Sequence, residues 1–289
     1  MKKILCATDF SLRSELAIDR AIALSRQFGA QLTLLHVVDD DQPRPMVERR
    51  TDEAHAALVA RAKAIQERTG ITATVEIRRG TIFVAIVEAA HSLSVDLLVM
   101  GVHRRRLVSN MVTGTTLERV LRTGNRPVLM VNAVTLASYE SVLLALDPSD
   151  ASARAVRAAK SLGLLEGERI SVVHAFEPIH KGMMGWAGVR EETVTKYSAN
   201  WAQEAREQLH QFLQSIDLSD SVRNIVLEEG PPFVAIKKVV ERLRPHLLVI
   251  GTRGYTGLRR LLLGSVAERI LSEIECDVLA VPPTSQSTS

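Results

Sequence analysis

Gly251 and Gly254, followed after nine residues by Gly264 and Ser265, have the spacing of an anion cradle. Glycine at the first two positions permits positive φ and lets a ligand approach the backbone closely. Gly264 and Ser265 then fall at the start of a helix predicted over Val266–Leu271. There, unpaired N–H groups and the helix dipole favour negative charge, and the Ser265 hydroxyl can donate to a phosphate oxygen. The competing reading is that Gly264 and Ser265 only cap the helix. Asp147 stands at the end of an apolar segment and offers either a polar contact to a ligand or an Asx turn before Pro148-Ser149.

Other chemistry-bearing residues point elsewhere. His36 and His174 occupy equivalent strand ends without a second ligand at metal spacing, so each reads as a packed, hydrogen-bonded histidine and no metal site is expected. Cys6 and Cys276 lie in or beside apolar segments and read as small buried hydrophobes. The chain contains no Gly-x4-Gly-Lys-(Ser/Thr) loop, no Gly-x-Gly-x-x-Gly after a first strand and no Gly-x-Ser-x-Gly elbow. No carboxylate pair is placed to hold magnesium and no lysine stands in the glycine loop, which argues against an active kinase or fast ATPase. No catalytic residue is assigned.

These residues belong to a repeat. At an offset of 138, Leu5, Ala7, Asp9, Ser11, Ser14, Ala17 and His36 match Leu143, Ala145, Asp147, Ser149, Ser152, Ala155 and His174. Further on the offset is 150: Gly80, Phe83–Ile86, Gly101, Gly114, Glu118-Arg119 and Val128-Leu129 match Gly230, Phe233–Ile236, Gly251, Gly264, Glu268-Arg269 and Val278-Leu279. Two domains follow, 1–137 and 138–289, with a boundary near Asn132–Tyr139. About twelve extra residues are expected in the second half, around Pro178–Arg190. Met183-Met184 and Trp186 in that stretch read either as a lid or partner contact or as a segment folded onto its own core.

Within the first half, strands are predicted at Lys3–Ala7, Gln31–Val38, Thr72–Arg78, Asp96–Met100 and Pro127–Val131. Helices are predicted at Ser14–Phe28, Asp52–Thr69, Thr81–Leu93 and Thr115–Thr123, with Gly29 as a helix stop. Alternating strands and helices imply α/β architecture, a doubly wound parallel sheet per half, and ligands beyond the carboxyl ends of the strands.

Composition sets the remaining bounds. The 289 residues are 46% hydrophobic and 24% charged, as in a soluble globular protein. No apolar run approaches the roughly eighteen residues needed to cross a bilayer. The apolar stretch after Lys2-Lys3 stops at Asp9, which reads as a first strand and makes a cytoplasmic protein the expectation. A net charge of +3 and 4% aromatic content give no reason to expect nucleic acid, despite local clusters at His103–Arg106 and Arg259-Arg260.

The arrangement resembles the universal stress protein family, whose ATP-binding members carry Gly-x2-Gly-x9-Gly-(Ser/Thr), and it does so over nearly the whole chain as the tandem two-domain form. The resemblance implies two Rossmann-like five-stranded parallel sheets related as an internal pseudo-dimer, with the last strands of the two halves paired. It implies ATP or a related adenine nucleotide, with or without magnesium, as the ligand. Asp147 would lie beside the ribose or adenine and Ala175, often Val in the family, would line the adenine pocket. Ile250 and Gly251 would face ribose and phosphate, while Gly254, Gly264, Ser265 and Val266 would cradle the phosphates. In the first half Asp9, Val37, Met100, Gly101, Gly114 and Thr115 keep the pattern, but Arg104 replaces the second glycine. Either that site is lost, or Arg104–Arg106 add positive charge near a phosphate. The implied role is a nucleotide-dependent regulator in stress response, acting on an unidentified protein partner, as a lone pseudo-dimer or a further homodimer. A slow ATPase and a nucleotide-free scaffold for another small molecule or protein are the alternatives.

Overall fold

A computed structural model describes residues 1–102, 115–132, 138–166, 169–178, 190–252 and 263–283. Gly114, Gly254, the His103–Arg106 and Arg259-Arg260 clusters and Met183–Trp186 lie outside the described residues. The first half runs β1 (Lys3–Ala7), α1 (Leu12–Phe28), β2 (Gln31–Val38), α2 (Arg44–Thr69), β3 (Ala73–Arg79), α3 (Ile82–Ser92), β4 (Leu97–Gly101), α4 (Thr116–Thr123) and β5 (Val128–Val131). The second runs β6 (Ser141–Ala145), α5 (Asp150–Ser161), β7 (Arg169–Phe176), α6 (Glu191–Ser215), β8 (Val222–Glu229), α7 (Pro232–Leu243), β9 (Leu247–Gly251), α8 (Ser265–Glu273) and β10 (Asp277–Val281).

Local sequence explains these elements. Along β1, Ile4 and Cys6 face the core under α1 and α2, while Leu5 faces the core under α3 and α4. A strand buried on both faces must be apolar at every position, which is why β1, β4 and β9 read as continuous apolar runs. Helix α1 buries Ala17, Ile18, Ala21, Ile22 and Leu24 on one stripe and stops where Gly29 takes the left-handed conformation, φ 61°, and returns its N–H to Ser25 O. Both cysteines are packed among apolar neighbours. Burial raises the Cys6 thiol well above its ordinary range and pushes Cys276 up to about 12.

One helix differs from expectation. Helix α2 starts at Arg44 rather than Asp52, because Pro43 and Pro45 sit at its N-cap and first turn, where a missing N–H does no harm. The added turns carry Val47 onto Val38, where it joins Ala54. Residues 177–190 separate β7 from α6, where residues 39–43 serve between β2 and α2, so most of the second half's extra length falls in the stretch expected.

The strands form one ten-stranded sheet in the order β3-β2-β1-β4-β5-β10-β9-β6-β7-β8. Each half is a five-stranded parallel sheet, and the two join through antiparallel pairing of β5 and β10, with Leu129 opposite Leu279. The pairing covers an edge on each sheet that would otherwise present unpaired backbone groups. It also makes the carboxyl ends of the two sets of strands point in opposite directions.

A buried polar cluster fixes this seam. Asp277, at the start of β10 and fully buried, accepts the Tyr139 hydroxyl on Oδ2 at 2.7 Å and the Asn132 amide on Oδ1 at 2.8 Å. Arg20 of α1, 3% exposed, brings Nε to 3.0 Å from Oδ2 as an ion pair off the hydrogen-bond axis, and lays its guanidinium 4.5 Å from the Tyr139 ring centre. The Asn132 side chain donates to the carbonyls of Ile274 and Cys276. Burial, with the Asp277 carboxylate beside it, raises the Tyr139 phenol well above its ordinary value and keeps it a donor. In the repeat Ala158 stands at the place of Arg20 and Pro127 at the place of Asp277, so the cluster exists once. Asp277→Ala is expected to lower unfolding free energy by about 3–5 kcal/mol, the cost of removing one partner from a buried charged pair, measured by urea denaturation. A loss below about 1 kcal/mol would show that the seam does not depend on this carboxylate.

Candidate functional site

At the carboxyl ends of β6, β7 and β9 the second half holds a cavity of about 440 Å³. Asp147, Ala175, Ile250, Gly251, Gly264, Ser265 and Val266, all singled out from sequence, line it together. A larger cavity of about 670 Å³ lies at the amino ends of these strands, beside Tyr139, His246 and Cys276. Its Lys237 and Glu273 pair with each other at 3.4 Å, and open α/β sheets hold ligands at the other end, so the smaller cavity is the candidate site.

Asp147 is held by the turn into α5. Its Oδ1 accepts hydroxyls from Ser149 and from Ser152, the latter at 2.6 Å, while Ser152 Oγ accepts the Asp147 amide at 3.0 Å. Ser149, not Asp147, is the N-cap of α5. The carboxylate is thus oriented through one oxygen, and Oδ2 makes no hydrogen bond among the described residues. His174, 8% exposed, places Nδ1 2.8 Å from Leu146 O, as His36 does with Thr8 O in the first half. A carbonyl can only accept, so Nδ1 carries a proton and Nε2 of His174 faces the remaining chemistry. Thr252, 2% exposed, also lines the cavity, and its hydroxyl makes no hydrogen bond among the described residues.

One glycine acts differently from expectation. Gly251 does not use positive φ. A Cβ there would lie 2.9 Å from Ala151 O, so the residue must be glycine for the end of β9 to pass beneath the first turn of α5. Gly101 has the same place in the first half, with Arg13 O 2.5 Å from a Cβ. Gly254, the other glycine expected to need positive φ, is outside the described residues.

The two helix starts differ. In the first half Thr115 is the N-cap of α4: its hydroxyl accepts the Glu118 amide at 3.3 Å and Glu118 Oε2 accepts the Thr115 amide at 3.2 Å, a closed capping box. Glu118 is 3% exposed. In the second half the N-cap is Gly264, no side chain caps the helix, and Ser265 is exposed in the first turn. Helix geometry leaves the Ser265, Val266 and Ala267 amides without an intrahelical acceptor at the wall of the cavity. The Gly264 amide is taken by Thr252 O at 2.9 Å.

The remaining first-half residues fall on the equivalent edge. Asp9 follows β1, Val37 lies in β2, Met100 and Gly101 end β4, and Met100 pairs with Ala7. Burial acts to raise the Asp9 carboxyl, but hydrogen bonds from Ser11 and Ser14 outweigh it and leave the group below its ordinary range. Phe10, at φ 61°, stacks its ring 4.5 Å from that of His36. Among the described residues no three His, Cys, Asp or Glu side chains converge as a metal site, and no helix is long and apolar enough to cross a membrane.

The family model described as "Universal stress protein family" matches residues 1–132 and again 138–282. The chain belongs to the universal stress protein family. It is 32% identical over 143 residues to a universal stress protein of Thermus aquaticus, covering 50% of this chain and 98% of that one. A universal stress protein of Mycolicibacterium smegmatis is 24% identical over 306 residues and 97% of each chain. Among solved structures, a universal stress protein from Archaeoglobus fulgidus superposes with a TM-score of 0.70 at 19% identity, covering 97% of this chain and 98% of that one. That likeness shows the fold: tandem Rossmann-like units within one chain.

Ser152, His174 and Thr252 were not assigned to the site from sequence. Ser152 repeats Ser14 and His174 repeats His36, a sign of shared local structure, whereas Thr252 stands where the first half has Val102. Gly251→Ala is expected to destabilise the ligand-free protein by about 1–3 kcal/mol through overpacking against Ala151. Thermal melting without nucleotide checks this, and an unchanged midpoint would return Gly251 to a purely ligand-facing role.

Proposed function

We propose that this universal stress protein binds ATP or a related adenine nucleotide in the second-half cavity, and that occupancy regulates its contact with a protein partner in stress response. The observation that carries this reading is the uncapped start of α8 at the wall of a cavity whose opposite side presents the Asp147 carboxylate. Asp147, an acceptor, suits ribose hydroxyls or the adenine amino group, and Ala175 and Ile250 give the base an apolar wall. Gly251 brings backbone close to the ribose and phosphate side. The Ser265 and Val266 amides and the Ser265 hydroxyl would hold the phosphates, with Gly264 and Gly254 leaving room for them beside the backbone. About 440 Å³ lies within the roughly 300–1,000 Å³ range of small-molecule sites. Magnesium would enter on the nucleotide's own phosphates.

The first half, with Asp9, Val37, Met100, Gly101, Gly114 and Thr115, is the weaker site in this reading. The closed Thr115–Glu118 box puts a carboxylate where the phosphates would go. Like charge and a used amide both oppose a second anion there.

Calorimetric titration of the nucleotide-stripped full chain with ATP and magnesium tests the assignment. The expected result is about one nucleotide per chain, with binding lost in Gly264→Val and kept in Thr115→Val. Absence of heat with wild-type protein, or binding that survives Gly264→Val, would overturn it.

A further inference from the structure

The two halves carry the same helix-start signature, Thr115-x-x-Glu118 and Ser265-x-x-Glu268, and use it differently. In the first half the box is closed, and Glu118 turns back onto the Thr115 amide. In the second half α8 begins one residue earlier in the repeat, and Glu268 does not return to Ser265. Glu268 instead points across the seam to Arg122 in the last turn of α4, with Oε1 3.8 Å from Nη2. The antiparallel seam brings the Arg122 and Glu268 side chains within reach of each other. In the repeat the residue at the place of Arg122 is Ser272, which has no charge with which to draw a glutamate outward.

We propose that Arg122 of the first half is a positioning residue for the second half's site: it holds Glu268 away from the first turn of α8 and so leaves that turn open to an anionic ligand. Two arrangements are open to Glu268. The Glu268 amide is held by Gly264 O at 2.9 Å, so what Glu268 would gain by turning back is a bond from the free Ser265 amide to its carboxylate and a favourable place at the positive end of the helix. Facing Arg122 gains an ion pair between side chains 29% and 40% exposed, where such pairs are weak. The structure adopts the arrangement that faces Arg122. A second set of observations marks this turn as a ligand wall: His174 and Thr252, each more than nine-tenths buried, line the same cavity with polar atoms that have no partner among the described residues.

The inference rests on the nucleotide reading of the site for its consequence, but its structural step can be tested without ligand. In the ligand-free full chain, Arg122→Ala is expected to slow hydrogen exchange at the Ser265 amide, because Glu268 then closes the box. Unchanged exchange there would overturn the proposal. In ATP titrations Arg122→Ala should weaken binding about threefold to fivefold, the range that a partly exposed ion pair can shift. Arg122→Ala/Glu268→Ala should restore wild-type affinity, and Glu268→Ala alone should bind at least as tightly as wild type. A seam contact needed only for stability would instead make both single variants weaker and the double variant no better, which would also overturn the proposal. If wild-type protein binds no ATP, the nucleotide reading fails, while the exchange result still decides the role of Arg122.

Discussion

The Asp277 carboxylate is the interaction on which the two-half arrangement depends. A carboxylate taken fully out of water is costly unless its oxygens are saturated with donors and opposite charge. Arg20, Tyr139 and Asn132 all reach Asp277 and contribute to meeting that condition. Those three come from α1, from just before β6 and from just after β5. Their convergence sets how the first half meets the second, and the antiparallel register of β5 on β10 follows from it. The apolar contacts of the seam supply area. The carboxylate supplies the requirement that one particular geometry be adopted.

That requirement is met once, and the asymmetry spreads from there. Two copies of one sequence pattern would form a symmetric pair with two equal sites. Here Pro127 and Ala158 leave the mirror position without a charged cluster, and the two α-helix starts nearest the seam diverge as well. Helix α4 satisfies its own terminus, while α8 leaves its terminus open beside a cavity. The packing beneath these helices stays common to both halves: Arg119 lies over Phe83 at 3.9 Å and Arg269 over Phe233 at 3.8 Å. Divergence at the polar groups of the seam and the helix starts thus sits on a packing that the two halves share.

Much of the fold could be read from sequence because its signals are local. Buried parallel strands are continuous apolar runs, and β1, β2 and β5 end where the pattern says. The start of α2 was hidden because Pro43-Arg-Pro45 looks like a loop, although proline is well suited to a first helical turn. The glycine loop was recognised by spacing, but the reason for Gly251 was not, since it lies in the carbonyl of Ala151 a hundred residues away. Thr252 and Ser152 were missed for a related cause. Neither type of residue announces a site, and only the approach of three strand ends brings them to one cavity. The state of a capping box is even less accessible, because Thr115-x-x-Glu118 and Ser265-x-x-Glu268 are alike in sequence while only the first is closed.

Covalent tandem linkage gives this divergence a physical basis. In a homodimer of one-domain chains, any residue facing a site across the two-fold axis faces both sites, so a change that opens one helix start opens the other. Joining the halves removes that constraint. Arg122 and Ser272 can differ, Glu268 can be drawn outward while Glu118 turns inward, and one half can keep its charge balance closed while supporting an open site in its neighbour. The first half then serves the second through the seam, contributing an edge strand, the Arg20 cation and the Arg122 side chain. Under the proposed nucleotide reading, Arg104 in place of the second glycine accords with this division.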